Sequence, residues 1–153
     1  MIRGIHHAAL VTPDLEQAKQ FYCEVFELEA LFDYEWGPDE TTFNSLIGME
    51  GTAAKMCLLK GKNSYLELFE YLAPNSEVEP KALTASDRGI RHLAFEVDDV
   101  KAVWEKVQAH GGVAMNKPIS VPGGLVAVYC RDPFGNIIEL IQPGGPMPSL
   151  QEA

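Results

Sequence analysis

Three cysteines in 153 residues, Cys23, Cys57 and Cys130, lie far apart and form no C-x-x-C pair. An odd, scattered set builds neither a disulfide framework nor a zinc knuckle, and it reads as small buried residues in a reducing compartment. Positive charge is also scarce: twelve Lys and Arg stand against twenty-two Asp and Glu, a formal net charge of −10. Phosphate backbones and anionic lipid surfaces need a basic partner, so nucleic acid and membrane are both excluded. No Lys/Arg cluster along the chain announces a pocket for a strongly anionic substrate. No apolar run approaches the roughly 20 residues of a membrane span, and MIRGIHHAALVTPD lacks the basic-then-apolar order of a signal peptide. The expected location is the cytoplasm. What is present, 46% hydrophobic and 22% charged residues, suits one globular domain with a real core.

The chain contains two copies of one unit. Gly4-Ile5-His6-His7-Ala8-Ala9-Leu10 and Gly89-Ile90-Arg91-His92-Leu93-Ala94-Phe95 both read G-I-x-H-x-A-apolar. Asp14-Leu15 aligns with Asp99-Val100, each opening a helical pattern. At the far ends, Tyr65-Leu66-Glu67-Leu68-Phe69 matches Ile137-Ile138-Glu139-Leu140-Ile141, a carboxylate set in an apolar strand. Such self-similarity is the mark of a repeated architectural unit.

Alternation predicts a strand over residues 4–12, stopped by Thr12-Pro13-Asp14. Asp14 is the expected N-cap of a helix whose apolar positions are Leu15, Ala18, Phe21, Tyr22 and Val25. A strand is expected over 29–36, a loop at 37–39, one or two strands within 41–60, and a hairpin turn at Gly61-Lys62-Asn63 before the Glu67 strand. The second half predicts a strand at 90–97, a helix at 99–110 ended by Gly111-Gly112, and strands near Val113 and over 125–130. The turn Asp132–Asn136 then leads to a last strand, 137–141. The expected organisation is module one 1–72, linker 73–88, module two 89–142 and a loop-like tail 143–153. The fold class is α+β: two tandem βαβββ modules whose sheets form a shared concave surface, an incomplete barrel.

Strand geometry selects the candidate site. Side chains alternate, so His7 shares a face with Ile5 and Ala9, and His92 with Ile90 and Ala94, while the bulkier neighbours face the helices. Glu67 and Glu139 are carboxylates amid apolar residues, and such groups are paired or bind metal. Two histidines and two glutamates at matching repeat positions predict one divalent cation held by His7, Glu67, His92 and Glu139. His6 should point away from His7 and is assigned no role. His110 reads as a helix cap, Glu70 as a solvated neighbour, and Trp36, Tyr65, Phe69 and Trp104 as core rather than substrate platform.

These segments, together with IHHAALVTPDLEQAKQFY, SYLELFEYLAP, GIRHLAFEVDDVKAVWEKVQAHGG and YCRDPFGNIIELIQP, resemble the vicinal oxygen chelate superfamily. That superfamily includes glyoxalase I, methylmalonyl-CoA epimerase, extradiol dioxygenases and the fosfomycin and bleomycin resistance proteins. The resemblance covers residues 4–142 and implies paired βαβββ modules, a homodimer, and a metal that binds two oxygens of a small molecule. The ligand set resembles that of glyoxalase I and implies a metal-dependent isomerase or lyase, with proton transfer next to a carbonyl through a metal-stabilised enediolate. Glu139 is the first choice of base and Glu67 the second. Zn, Ni, Co, Mn and Fe(II) all suit imidazole plus carboxylate. Glyoxalase I usually carries an arginine four residues after its first histidine and an asparagine four after its first glutamate; here Val11 and Tyr71 stand there, which argues against glutathione. The alternatives are a non-catalytic binding or resistance protein and an Fe(II)-dependent dioxygenase.

Overall fold

Asp14 and Asp99 start the two longer helices, as their positions before Leu15 and Val100 predict. Asp14 Oδ1 accepts from Gln17 N at 2.9 Å, and Asp99 Oδ1 accepts from Ala102 N at 3.0 Å. Each side chain satisfies an amide that has no partner within its helix. The structure is a computed structural model that describes residues 1–76 and 78–150. Glu77 in the expected linker and the last three residues of the expected tail lie outside it.

The chain divides into two compact units, Met1–Val78 and Glu79–Ala153. The first runs β1 (His7–Val11), α1 (Leu15–Phe26), β2 (Glu29–Trp36), α2 (Thr41–Ile47), β3 (Ala53–Lys60) and β4 (Tyr65–Ala73). Its sheet has the order β1-β4-β3-β2, with β1 parallel to β4 and the other pairs antiparallel. The second runs β5 (His92–Glu96), α3 (Val100–Ala109), β6 (Val113–Ala114), β7 (Ile119–Ser120), β8 (Val126–Arg131) and β9 (Ile137–Gln142). Its order is β5-β9-β8-β6, with β7 beside β8 and β5 parallel to β9. The fold is α+β, with two open mixed sheets and three helices among the described residues.

The two longer helices, α1 and α3, each cover one face of their own sheet. Leu15, Ala18, Phe21, Tyr22 and Val25 of α1 are at most 3% exposed, and the helix packs on β3 and β4. The sheet residues facing it, Cys57, Leu59, Leu66 and Leu68, alternate with the candidate-site residues. In the second unit Val100 and Val107 of α3 pack with Cys130, Ile138 and Leu140. Burying each such side chain is worth about 1.5–3 kcal/mol, so the alternation fixes which face remains open. His7, Ala9 and Val11 are exposed and Ala8 and Leu10 half-buried, as the alternation requires.

Three details differ from the expectation. The strand expected within 41–60 is β3, and Thr41–Ile47 ahead of it adds a helix: Glu40 accepts from Thr42 N at 3.1 Å, and Gly48, at φ 67°, closes the helix in a conformation that glycine supplies without strain. Residues 4–6 precede the first strand rather than belonging to it. The end of the expected linker is structured: Pro80–Ala82 form a 3-10 turn. Arg131 of β8 holds it, donating to Pro80 O at 3.2 Å and Leu83 O at 2.7 Å. The tail is also anchored, since Ser149 Oγ and Leu150 N donate to the two carboxylate oxygens of Glu96.

Candidate metal centre

Parallel pairing brings each histidine to its glutamate. His7 pairs with Tyr65 and Ala9 with Glu67, while His92 pairs with Ile137 and Ala94 with Glu139. In both units the glutamate sits two residues further along the neighbouring strand, on the face away from the helix. The small Ala9 and Ala94 beside it leave room for the imidazole to lean across. His7 Nε2 and Glu67 Oε2 are 3.3 Å apart, and His92 Nε2 and Glu139 Oε2 are also 3.3 Å apart. The glutamate side chains are 19% and 17% exposed, the histidines 40% and 36%.

The separation bears on what these pairs hold. A charge-assisted N–H···O bond prefers about 2.7–2.9 Å. Two donor atoms each about 2.1 Å from one cation lie roughly 3.0–3.4 Å apart for angles between octahedral and tetrahedral. The observed spacing fits the second case, and imidazole plus carboxylate is a donor set that divalent transition metals accept. Among the described residues no three His, Cys, Asp or Glu side chains form a group that could hold a metal ion, so each His–Glu couple stands as a two-donor pair.

His6 does not point away. Its Nδ1 lies 2.9 Å from His7 Nδ1, and its ring stacks on Tyr65 with centroids 4.8 Å apart. Strict alternation does not apply, because the first strand begins only at His7. For His7 to offer Nε2 to a cation, its proton must sit on Nδ1, and His6 Nδ1 is the acceptor placed to receive it. Glu70 is likewise not a solvated neighbour: it lies on the helix side of β4, where its Oε2 accepts from Leu15 N at 3.0 Å and its Oε1 is 3.7 Å from Lys55 Nζ.

Each half also carries a tyrosine. Tyr71 follows Glu67 by four residues on the same face of β4, and Tyr129 lies directly opposite Glu139 in register. Burial, and then the charge of Glu67, pushes the Tyr71 phenol above its ordinary value; burial and Glu139 do the same for Tyr129. Both phenols stay protonated at neutral pH and can donate. The Tyr129 ring lies 5.0 Å from that of His92. Around Tyr71, Trp36 stacks on Phe43 at 4.8 Å and meets Phe69 edge-on at 6.1 Å. Trp36 is core as expected, 4% exposed, and its Nε1 donates to the buried Thr52 Oγ1. Trp104 is half-buried and donates to Asn116 O. His110 caps α3, with its Nδ1 2.7 Å from Lys106 O. Cys57 and Cys130 are buried, Cys23 half-buried, and all three are free.

The turn before β9 positions Glu139. Asp132 is 1% exposed. Its Oδ1 accepts from Phe134 N and Asn136 N, and its Oδ2 from Asn136 Nδ2, at 2.8–3.0 Å. Gly135 has φ 97°, and a Cβ there would lie 2.6 Å from Lys81 N.

Residues 4–140 match the profile of the Glyoxalase/Bleomycin resistance protein/Dioxygenase superfamily. A 2-epi-5-epi-valiolone epimerase from an Actinomyces species is 35% identical over 151 residues, covering 93% of this chain and 81% of that protein. A lactoylglutathione lyase of Arabidopsis thaliana is 29% identical over 144 residues, 93% of this chain and 45% of that enzyme, so this chain spans less than half its length. A glyoxalase family protein from Bacillus cereus matches with a TM-score of 0.84 at 17% identity, covering 95% of this chain and 97% of that one. The fosfomycin resistance protein FosX of Listeria monocytogenes, solved with Mn(II) and sulfate, matches at 0.61 and 19% identity, covering 99% and 98%. At these identities the solved structures speak for the fold. The repeat, the two sheets and the matched length lead to one assignment: the chain belongs to the glyoxalase, bleomycin resistance protein and dioxygenase superfamily.

Proposed function

We propose that the chain is a divalent-metal-dependent isomerase or lyase of glyoxalase type, moving a proton at a carbon next to a carbonyl of a small oxygenated molecule. The observation that carries this reading is the pair of repeat-related His–Glu couples with the same 3.3 Å separation. The likeness to a named epimerase over 93% of the chain supports it. In this reading His7, Glu67, His92 and Glu139 together hold one ion, which acts when bound as a Lewis acid toward two adjacent substrate oxygens.

Glu139 is the proposed base and Glu67 the group that takes or returns the proton on the other side. Both are half-buried, and each has a phenol within electrostatic reach. Tyr129 and Tyr71, protonated, are placed to steady the oxygen on which negative charge grows. Val11 and Tyr71 stand where glutathione-dependent relatives use arginine and asparagine, so the substrate in this proposal is not a glutathione adduct. A homodimer is part of the proposal and is read by sedimentation.

The test is hydrogen–deuterium exchange in D2O, followed by NMR, on a panel of α-hydroxy and α-oxo carbonyl compounds with metal-loaded protein. Exchange at the carbon next to the carbonyl is expected, and Glu139→Gln should slow it by about 10²–10⁴. A protein that holds stoichiometric metal yet exchanges nothing on the panel would point instead to a binding protein.

A further inference from the structure

The linear sequence announces no basic cluster, but the fold makes one. Arg3 before β1, and Lys60 and Lys62 around the β3–β4 turn, line a cavity of about 330 Å³ together with His6 and Tyr65. No acidic side chain lines it, in a chain of net charge −10. Arg3 and Lys62 are exposed and make no ion pair or hydrogen bond among the described residues. Lys60 has only an exposed partner, Glu29 at 3.4 Å, with side chains 52% and 67% exposed. Such a pair holds its lysine weakly. Asn63 and Ser64 of the turn add uncharged donors to the same lining.

Its place in the fold ties this cavity to the His7–Glu67 couple. Lys60 pairs with Tyr65 and Leu58 with Glu67, so Lys60 stands two residues, about 7 Å of strand, from the position opposite Glu67 on the same open face of the sheet. His6 belongs to both places, lining the cavity while contacting His7. We propose that this cavity is an anion subsite that takes one phosphate or carboxylate group. Three cationic side chains in one lining, with neutral donors beside them, suit a compact anion, and the volume suits one such group attached to a small molecule. The subsite stands without any metal; only the further step, that its anion belongs to the molecule bound at the proposed centre, rests on that reading.

The experiment is a titration of the full chain, freed of metal by chelator dialysis, with inorganic phosphate. Amide shifts are followed by ¹H–¹⁵N NMR with chloride balancing ionic strength throughout. Saturable shifts confined to residues 3–6 and 60–65 are expected. The doubly substituted Arg3→Gln, Lys62→Gln chain should bind on the order of tenfold more weakly, and Lys101→Gln, Lys117→Gln, the same loss of two charges elsewhere, should bind as before. Shifts that do not saturate, or that survive the double substitution, would overturn the subsite without touching the metal centre. A second arm uses Zn-loaded chain and compares dihydroxyacetone phosphate with phosphate. A tenfold or greater gain that needs both Zn and Lys62 assigns the anion to the molecule at the centre. Equal binding with and without Zn makes it a site for free anions and ends the shared-molecule step.

Discussion

His6 and His7 show how adjacent residues divide one task. His7 faces Glu67 through Nε2 and His6 through Nδ1, so a His7 Nδ1 proton donated to His6 would leave Nε2 free for a cation. Replacing such a partner typically lowers metal affinity about 10–100-fold without removing the site. His6→Ala should do this while one ion per chain is still taken up, measured by competition with a chromophoric chelator. Unchanged affinity would reduce His6 to its stacking on Tyr65. A second residue-scale prediction concerns Lys19, which bridges Glu16 at 2.8 Å and Asp33 at 3.0 Å. The Cys57 thiol first, and then Lys19, hold the Asp33 carboxyl below its ordinary value. Burial first, and then Asp33, push the Cys57 thiol up to about 12. A carboxyl whose folded pKa is depressed contributes stability above its unfolded value near 4 and loses it as pH falls through the folded value. The stability lost in Lys19→Ala should therefore be larger at pH 7 than at pH 3 in urea unfolding. Equal losses would show that packing of the lysine stem, not charge, carries the effect.

At the scale of elements, the helices and turns behave as brackets for the open-face residues. Glu70 ties the first turn of α1 to β4, and Glu70→Ala should destabilise the chain by about 1 kcal/mol, as lost caps do, read by thermal unfolding. Asp132 holds the turn that launches β9. Asp132→Ala leaves buried amides unpaired and should cost about 2–4 kcal/mol. Because Glu139 lies on that strand, metal affinity should fall with stability, and a variant that unfolds early yet binds metal normally would uncouple turn from site. The helix N-caps Asp14 and Asp99 were legible from local pattern, and so were the strands, expected at 29–36, 125–130 and 137–141 and found at Glu29–Trp36, Val126–Arg131 and Ile137–Gln142. Helix α2 was not: Thr41–Ile47 is only seven residues long and has no buried residue, too short for the spacing of Phe43, Leu46 and Ile47 to stand out, while its caps at Glu40 and Gly48 mark it. Glu70 was misread because a glutamate inside a strand looks alike whether it meets water or the amide of a helix 55 residues away along the chain.

For the whole molecule, the decisive quantity is metal stoichiometry. If the four residues serve one ion, saturation comes at one divalent ion per chain, and His7→Ala and His92→Ala should each abolish tight uptake in calorimetric titration. Two ions per chain, with each substitution removing one, would mean that each unit binds alone and would sink the shared centre. No helix of the described residues is long and apolar enough to cross a membrane.

The repeat, the helix-facing core and the four candidate residues could be read from the linear chain, because alternation and i,i+3/i+4 spacing are properties of neighbours in sequence. Burial patterns in β1 and β5 follow that reading. What needed three dimensions were the contacts between distant segments: the 3.3 Å couples set by parallel register, the phenol of Tyr129 opposite Glu139, and the gathering of Arg3, Lys60 and Lys62 around one cavity. Cross-strand register and the direction in which long side chains reach depend on how strands pair, and pairing is decided by the packing of the whole sheet rather than by any local pattern.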